Sequence, residues 1–197
     1  MQQTTLSTQT PTAPSSTGWE TSHLRGRLVD VWPYAEAYFP PETFPEMWAW
    51  MKEDNTLRQT FYEGGVTTLP HLVRFFDPLI FPTRLLLLYT TKAGEGAGFG
   101  WFDQVIQGVR AFANVCMRKK YWGAHTDEAC RISIDYIMHA HGVRNVFGFT
   151  PNGLAHALMK RLGAQHVATI PGLASYNGTP AVVMVTRLAK ENWNGKW

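Results

Sequence analysis

Cysteine is scarce in this chain, one-sided charge is scarcer, and no long apolar run interrupts it. The two cysteines, Cys116 and Cys130, fall in segments that read as a strand and a helix, which excludes a disulfide scaffold and predicts reduced core thiols. The 18 Lys and Arg stand against 15 Asp and Glu, leaving +3 with no basic block, so nucleic acid is not an implied partner. Apolar runs such as Leu85 to Leu88 fall far short of the roughly 20 residues that cross a bilayer, so no membrane association is expected. Met1 to Thr17 has neither the basic start nor the apolar centre of a secretory signal, which points to a cytoplasmic protein.

A hydrophobic fraction of 45% in 197 residues is enough for one sizeable core, expected over 19–190. The polar stretch Met1 to Gly18 has almost nothing to bury and reads as a tail, and 191–197 as a second tail carrying Trp193 and Trp197. Within the domain, Arg27 to Trp32 reads as a strand broken by Pro33. Glu42 to Asp54 carries Phe44, Met47, Trp48 and Met51 at helical spacing, with Thr43 a candidate N-cap, and Thr67 to Phe76 is a second helix with Thr68 as cap.

Arg84 to Thr91 reads as a strand. The glycine-dense Gly94 to Gly100 has neither the lysine of a P-loop nor the spacing of a dinucleotide fingerprint, and reads as a mobile hairpin loop. Trp101 to Gly108 and Val109 to Met117 are two more strands. Cys130, Ile134, Ile137 and Met138 share one face of a helix from Asp127 to His141, stopped by Gly142. Asn145 to Thr150 is a buried strand, and Asn152 to Leu162 a helix capped by Asn152 and closed by Gly163. Val167 to Ile170 and Ala181 to Leu188 are the last strands, around a loop at Tyr176-Asn177-Gly178. His139 and His141 fall on different faces of their helix and neither cysteine has a neighbour at ligand spacing, so no metal site is expected.

The most specific stretch is Tyr121-Trp-Gly-Ala-His-Thr-Asp-Glu-Ala129, followed by a helix, then Arg144-Asn-Val-Phe-Gly-Phe-Thr-Pro-Asn152, Ala155 and Lys160-Arg-Leu-Gly163. It resembles the GNAT superfamily of N-acetyltransferases, nearest the branch that acetylates protein N-termini and small amines. That branch typically writes Tyr-Trp-Gly-x-Gly-x-Ala-Thr-Glu-Ala, a helix, a strand, Asn-x-x-Ser or Ala, and Lys-x-Gly-Phe. The resemblance implies an α/β (α+β) domain with a mixed, mostly antiparallel sheet of six or seven strands flanked by about four helices. It implies that the strand ending near Met117 splays from its neighbour to admit acetyl-CoA. Backbone amides of Trp122, Gly123, Ala124, His125 and Thr126 would then cradle the pyrophosphate at a helix start, with Asn152 near the pantetheine arm or simply capping its helix.

Three departures stand against that pattern. Ungapped alignment on Gly123 puts His125 and Asp127 where the family has small residues, and Asp127 and Glu128 bring negative charge to the helix start, which Arg118, Lys119 and Lys120 would offset. No carboxylate lies on Arg110 to Met117 to act as base, and Met159 stands where a proton-donating tyrosine is often found. Asp103, His125 and Tyr176 are the candidate catalytic substitutes.

Two functions are therefore open. One is transfer of acetyl from acetyl-CoA to a small-molecule or protein amine. The other is a catalytically inactive GNAT-fold interaction protein in a larger assembly such as a phage virion, in the way that some podovirus internal virion proteins resemble acetyltransferases. Trp193 and Trp197 need cover, either from their own domain or from another chain, and Met1 to Gly18 could add to a neighbour's sheet edge.

Overall fold

The computed structural model describes residues 24–34, 40–176 and 178–193. Its elements run β1 (Leu24–Arg25), β2 (Val29–Pro33), α1 (Thr43–Glu53), α2 (Leu57–Thr60), α3 (Leu69–Phe75), β3 (Leu85–Thr91), β4 (Gly96–Ile106) and β5 (Arg110–Met117). They continue through α4 (Ala124–Ala140), β6 (Asn145–Thr150), α5 (Gly153–Arg161), β7 (Gln165–Tyr176) and β8 (Thr179–Ala189). One sheet holds all eight strands in the order β1-β2-β3-β4-β5-β6-β8-β7. Every pairing is antiparallel except β5 with β6.

The mixed, mostly antiparallel α+β architecture is the expected one, with a two-residue β1 and a one-turn α2 added. Neither could be seen in the sequence, since two or four residues are too few to show a period. The expected polar tail at 1–18 lies outside the described residues, as does Trp197. Trp193 is described and packs against its own domain, its indole N–H donating to Asp135 on α4 at 3.2 Å.

Alternation along β3 explains the leucine run. Leu87 and Tyr89 face a core with α4 and α5, where Ala129, Ile137, Met138 and Leu158 are buried. Leu86 and Leu88 face a second core with α1 and α3, among Met47, Met51, Leu72, Phe99 and Trp101. A strand buried on both faces is continuously apolar, so four consecutive leucines fit the middle of a covered sheet.

Gly94 to Gly100 is not a mobile loop. The turn is confined to the residues around Gly94, and Gly96, Gly98 and Gly100 lie inside β4. Gly100 serves the packing of a neighbour: a Cβ there would stand 2.0 Å from the Tyr89 hydroxyl, which pairs with Ser133 of α4 at 3.0 Å. Glycine here marks a close approach across strands.

The helix starts divide. Thr68 and Asn152 cap as expected, accepting from the backbone N–H of His71 at 3.3 Å and of Leu154 at 2.9 Å. Thr43 does not: it is the first helical residue, and Glu42 precedes it with helical dihedrals and no side-chain capping bond. α4 begins at Ala124, three residues before the expected Asp127, because Gly123 supplies the break with φ 89° and ψ −124°. β7 is longer than the expected Val167 to Ile170, its register shifting between His166 and Ala168 and again between Ile170 and Ala174.

Candidate active site

The parallel pair β5 and β6 shares only three registered positions, Arg110 with Asn145, Ala111 with Val146 and Phe112 with Phe147. Beyond Phe112 and Phe147 the two strands run on without pairing to each other, five residues of β5 to Met117 and three of β6 to Thr150. They form a wedge, closed at Phe112 and Phe147 and open where α4 begins.

A cavity of about 280 Å³ occupies this wedge. Its walls include Asn114, Val115 and Met117 of β5, Gly148 and Phe149 of β6, and Ala155 and Met159 of α5. One end reaches Trp122, Gly123 and Thr126 at the start of α4; the other reaches Thr56, Gln59, Thr60 and Tyr62 around α2.

At the first end, Gly123 caps α4 without any side-chain hydrogen bond, and the first backbone bond back into the loop is made by Asp127 N–H to the Gly123 carbonyl at 3.0 Å. The amides of Ala124, His125 and Thr126 thus point out of the helix start as donors, with the positive end of a 17-residue helix behind them. Nothing lies within 4 Å of where a Cβ on Gly123 would stand, so the approach is open. Such a helix start presents donors and positive potential of the kind that favours an anion.

No protein-family profile and no curated protein matches the sequence. Solved structures do match in fold. A probable GNAT-family acetyltransferase from Chromobacterium violaceum superposes with a TM-score of 0.72 at 14% identity, covering 96% of this chain and 100% of its own. Spermidine N-acetyltransferase from Vibrio cholerae, in complex with CoA and spermine, gives 0.70 at 10% identity over 85% of this chain and 98% of its own. Ribosomal-protein-S5-alanine acetyltransferase from Vibrio fischeri gives 0.68 at 11% over 87% and 98%. The chain has the GNAT acetyltransferase fold.

In this GNAT fold the expected cofactor residues are unevenly placed. Trp122, Gly123, Thr126 and Asn152 line the cavity, whereas Ala124 and His125 do not. Trp122 folds its indole back to donate to the Met117 carbonyl at 3.0 Å, and Thr126 donates its hydroxyl to the Tyr121 carbonyl at 3.1 Å. The His125 ring is turned outward beside Tyr121, 5.3 Å between centroids, so the side chain in place of the family's glycine does not fill the cavity. Asn152 both caps α5 and lines the wedge.

None of Asp103, His125 and Tyr176 lines the cavity. The Asp103 carboxylate pairs with Arg84 and accepts from the Trp101 indole at 2.8 Å and from Asn114 at 3.3 Å. Tyr176 ends β7 opposite Thr179 in the hairpin to β8.

The charge reading of the helix start needs correction. Glu128 lies in the second turn and turns away from the wedge: it accepts from the backbone N–H of Arg27 at 2.7 Å, Leu28 at 2.5 Å and Val29 at 3.0 Å. Its charge is spent on the turn between β1 and β2. Asp127 does lie at the helix start, where Arg161 pairs with it at 2.8 Å. Arg118 and Lys120 do not supply that compensation, because both pair with Glu95. Hydrogen bonds from Lys120 and Tyr121 hold the Glu95 carboxyl below the usual range.

Thr56, Thr60 and Tyr62 are wall residues that sequence reasoning missed, because they come from elements distant along the chain from the motif; Arg161 lies within the motif and Cys116 just before it, and only the fold shows both as wall residues. Burial pushes the Cys116 thiol up to about 11, against its hydrogen bonds with Thr60 and Thr56, and burial with nearby Asp127 pushes Cys130 up to about 12. Burial also raises Tyr62 and Tyr89. Among the described wall residues there is no Asp, Glu, His or Lys. The cavity can bind, orient and exclude water; those walls have no group that takes a proton near neutral pH.

Proposed function

We propose that the protein binds acetyl-CoA in the wedge between β5 and β6 and transfers its acetyl group to a primary amine arriving from the α2 side. The observation that carries this is the wedge itself, running from an uncapped helix start to a polar mouth. CoA in complex with the spermidine N-acetyltransferase of the same fold supports it. When bound, acetyl-CoA supplies a thioester that the amine nitrogen attacks, releasing the CoA thiol.

The chain's own residues divide the work. Amides of Ala124, His125 and Thr126 hold the pyrophosphate, with Gly123 keeping that approach open. Asn152 has its side-chain oxygen committed to Leu154 N–H, which leaves its amide NH₂ as the group to offer the arm. Thr56, Gln59, Thr60 and Asn114 provide neutral hydrogen-bonding groups at the acceptor end. Without a carboxylate or imidazole among the described walls, the amine that reacts is the neutral form, drawn from solution by its own pKa.

Titration calorimetry with CoA and acetyl-CoA tests this reading: we expect micromolar binding, and no heat at millimolar cofactor overturns it. Asp103, His125 and Tyr176 lie outside the described walls and are the candidates for a proton carrier acting from there in place of solvent, replaced singly as Asp103→Asn, His125→Gln and Tyr176→Phe. The one that carries protons is the one whose loss removes a limb of the pH–rate profile. The absence of Asp, Glu, His and Lys from the described walls favours a second reading, a GNAT-fold binding protein without turnover. Binding with no acetyl transfer to any amine would select it.

A further inference from the structure

One buried hydroxyl is left without a partner among the described residues, and it lies directly behind the wedge. Thr186 on β8 is 1% exposed, and its Oγ1 makes no hydrogen bond. It stands opposite Gly148 of β6 in the antiparallel register, so the two positions share a face of the sheet. Glycine leaves that face bare. Thr186 Oγ1 fills part of the space, 2.8 Å from where a Gly148 Cβ would be, and Met159 Cγ and Cε lie 3.2 and 3.5 Å from the same point.

Gly148 and Met159 both line the cavity, and Gly148 is the first residue of β6 past its last pairing with β5. The hydroxyl therefore sits at the closed end of the wedge, screened by a residue with no side chain and by a flexible thioether. A buried hydroxyl with no acceptor destabilises a fold relative to a methyl of the same shape, and valine suits a strand at least as well as threonine. The hydroxyl is a donor lacking only an acceptor.

We infer that Thr186 donates a hydrogen bond to the thioester end of the ligand arm at the closed end of the wedge, Met159 swinging aside to admit it. This rests on the acetyl-CoA reading above. With the pyrophosphate at the open end, beside α4, the far end of the arm is what reaches Gly148. A threonine hydroxyl does not ionise near neutral pH, so Thr186 is a positioning residue that orients the thioester rather than a source of protons.

The test compares wild type, Thr186→Val and Thr186→Ser by calorimetry with acetyl-CoA and CoA, and by thermal melting without ligand. Thr186→Val is expected to melt higher than wild type when empty, yet to bind acetyl-CoA about three- to tenfold more weakly, the span of one neutral hydrogen bond. Thr186→Ser, which keeps the hydroxyl, is expected to bind as wild type does. A loss confined to acetyl-CoA assigns the contact to the carbonyl oxygen, and a loss shared with CoA assigns it to the sulfur.

Unchanged affinity in Thr186→Val overturns the inference, whichever way its melting moves, because a purely structural threonine would alter melting alone. Should that variant not fold, Gly148→Ala serves instead: its methyl crowds Oγ1 and Met159, and unchanged binding there overturns the inference equally. If wild type binds no acetyl-CoA, the cofactor reading has failed and this inference falls with it; a failure seen only in the variants leaves that reading standing.

Discussion

Asp127 Oδ1 and Arg161 Nη2 meet at 2.8 Å, tying the first turn of α4 to the last residue of α5 at the edge of the wedge. Both side chains are partly exposed, so the pair adds about 0–1 kcal/mol to stability. Its larger consequence is for an anionic ligand. Asp127→Asn should release Arg161 toward the phosphates and tighten acetyl-CoA binding several-fold, while Arg161→Gln should weaken it by leaving Asp127 unpaired. Calorimetry at two salt concentrations checks both, since each effect should shrink as salt rises.

Glu128 holds the turn between β1 and β2 through three backbone amides. Glu128→Ala strands those amides in a partly buried site and should cost about 3–5 kcal/mol of stability, from roughly 1–3 kcal/mol for each donor left without a partner, less what water recovers. Urea unfolding measures it. A loss under about 1 kcal/mol would show that water replaces the carboxylate freely.

Gly123 stands at φ 89°, where an L side chain is strained. Nothing surrounds it, so Gly123→Ala tests the backbone alone. The expected cost is about 1–2 kcal/mol in denaturant unfolding. Cofactor affinity should fall as well, because the α4 amides are aimed by that dihedral; retained affinity would place the pyrophosphate elsewhere.

The two cavity thiols make stability depend on alkaline pH. Both thiols are raised in the fold, Cys116 to about 11 and Cys130 to about 12. The unfolded chain begins to release these protons near pH 8.5 while the folded chain keeps them, so stability is full below that pH and falls above it. The expected loss is about 1.4 kcal/mol per pH unit for each thiol, until pH reaches the folded value. Melting curves between pH 7 and 10 check this against Cys116→Ala and Cys130→Ala, each of which should flatten the decline.

Much of this molecule was legible in its residues taken in order. The helices over Glu42 to Asp54 and Asn152 to Leu162, the strand pattern around Gly108, and the caps at Thr68 and Asn152 are signals carried within a few residues, where backbone periodicity and a single side-chain hydrogen bond decide the outcome. The apolar periodicity alone places the start of α4 at Asp127, three residues late, because it is the Gly123 dihedral and not the periodicity that ends the preceding loop. What the tertiary structure alone decided are contacts between residues far apart. Glu128 was read as a repelling charge until the fold brought amides about 100 residues away onto it. Gly94 to Gly100 reads as a loop until the paired strands are seen, where Tyr89 shows what the missing side chain of Gly100 makes room for. The wedge exists because β5 and β6, 28 residues apart across α4, part after three pairs, a relation only the assembled sheet contains. Sequence carries the propensity of each segment, but the charge a side chain finally meets, and the space a glycine finally leaves, depend on which distant segment the chain's packing places beside it.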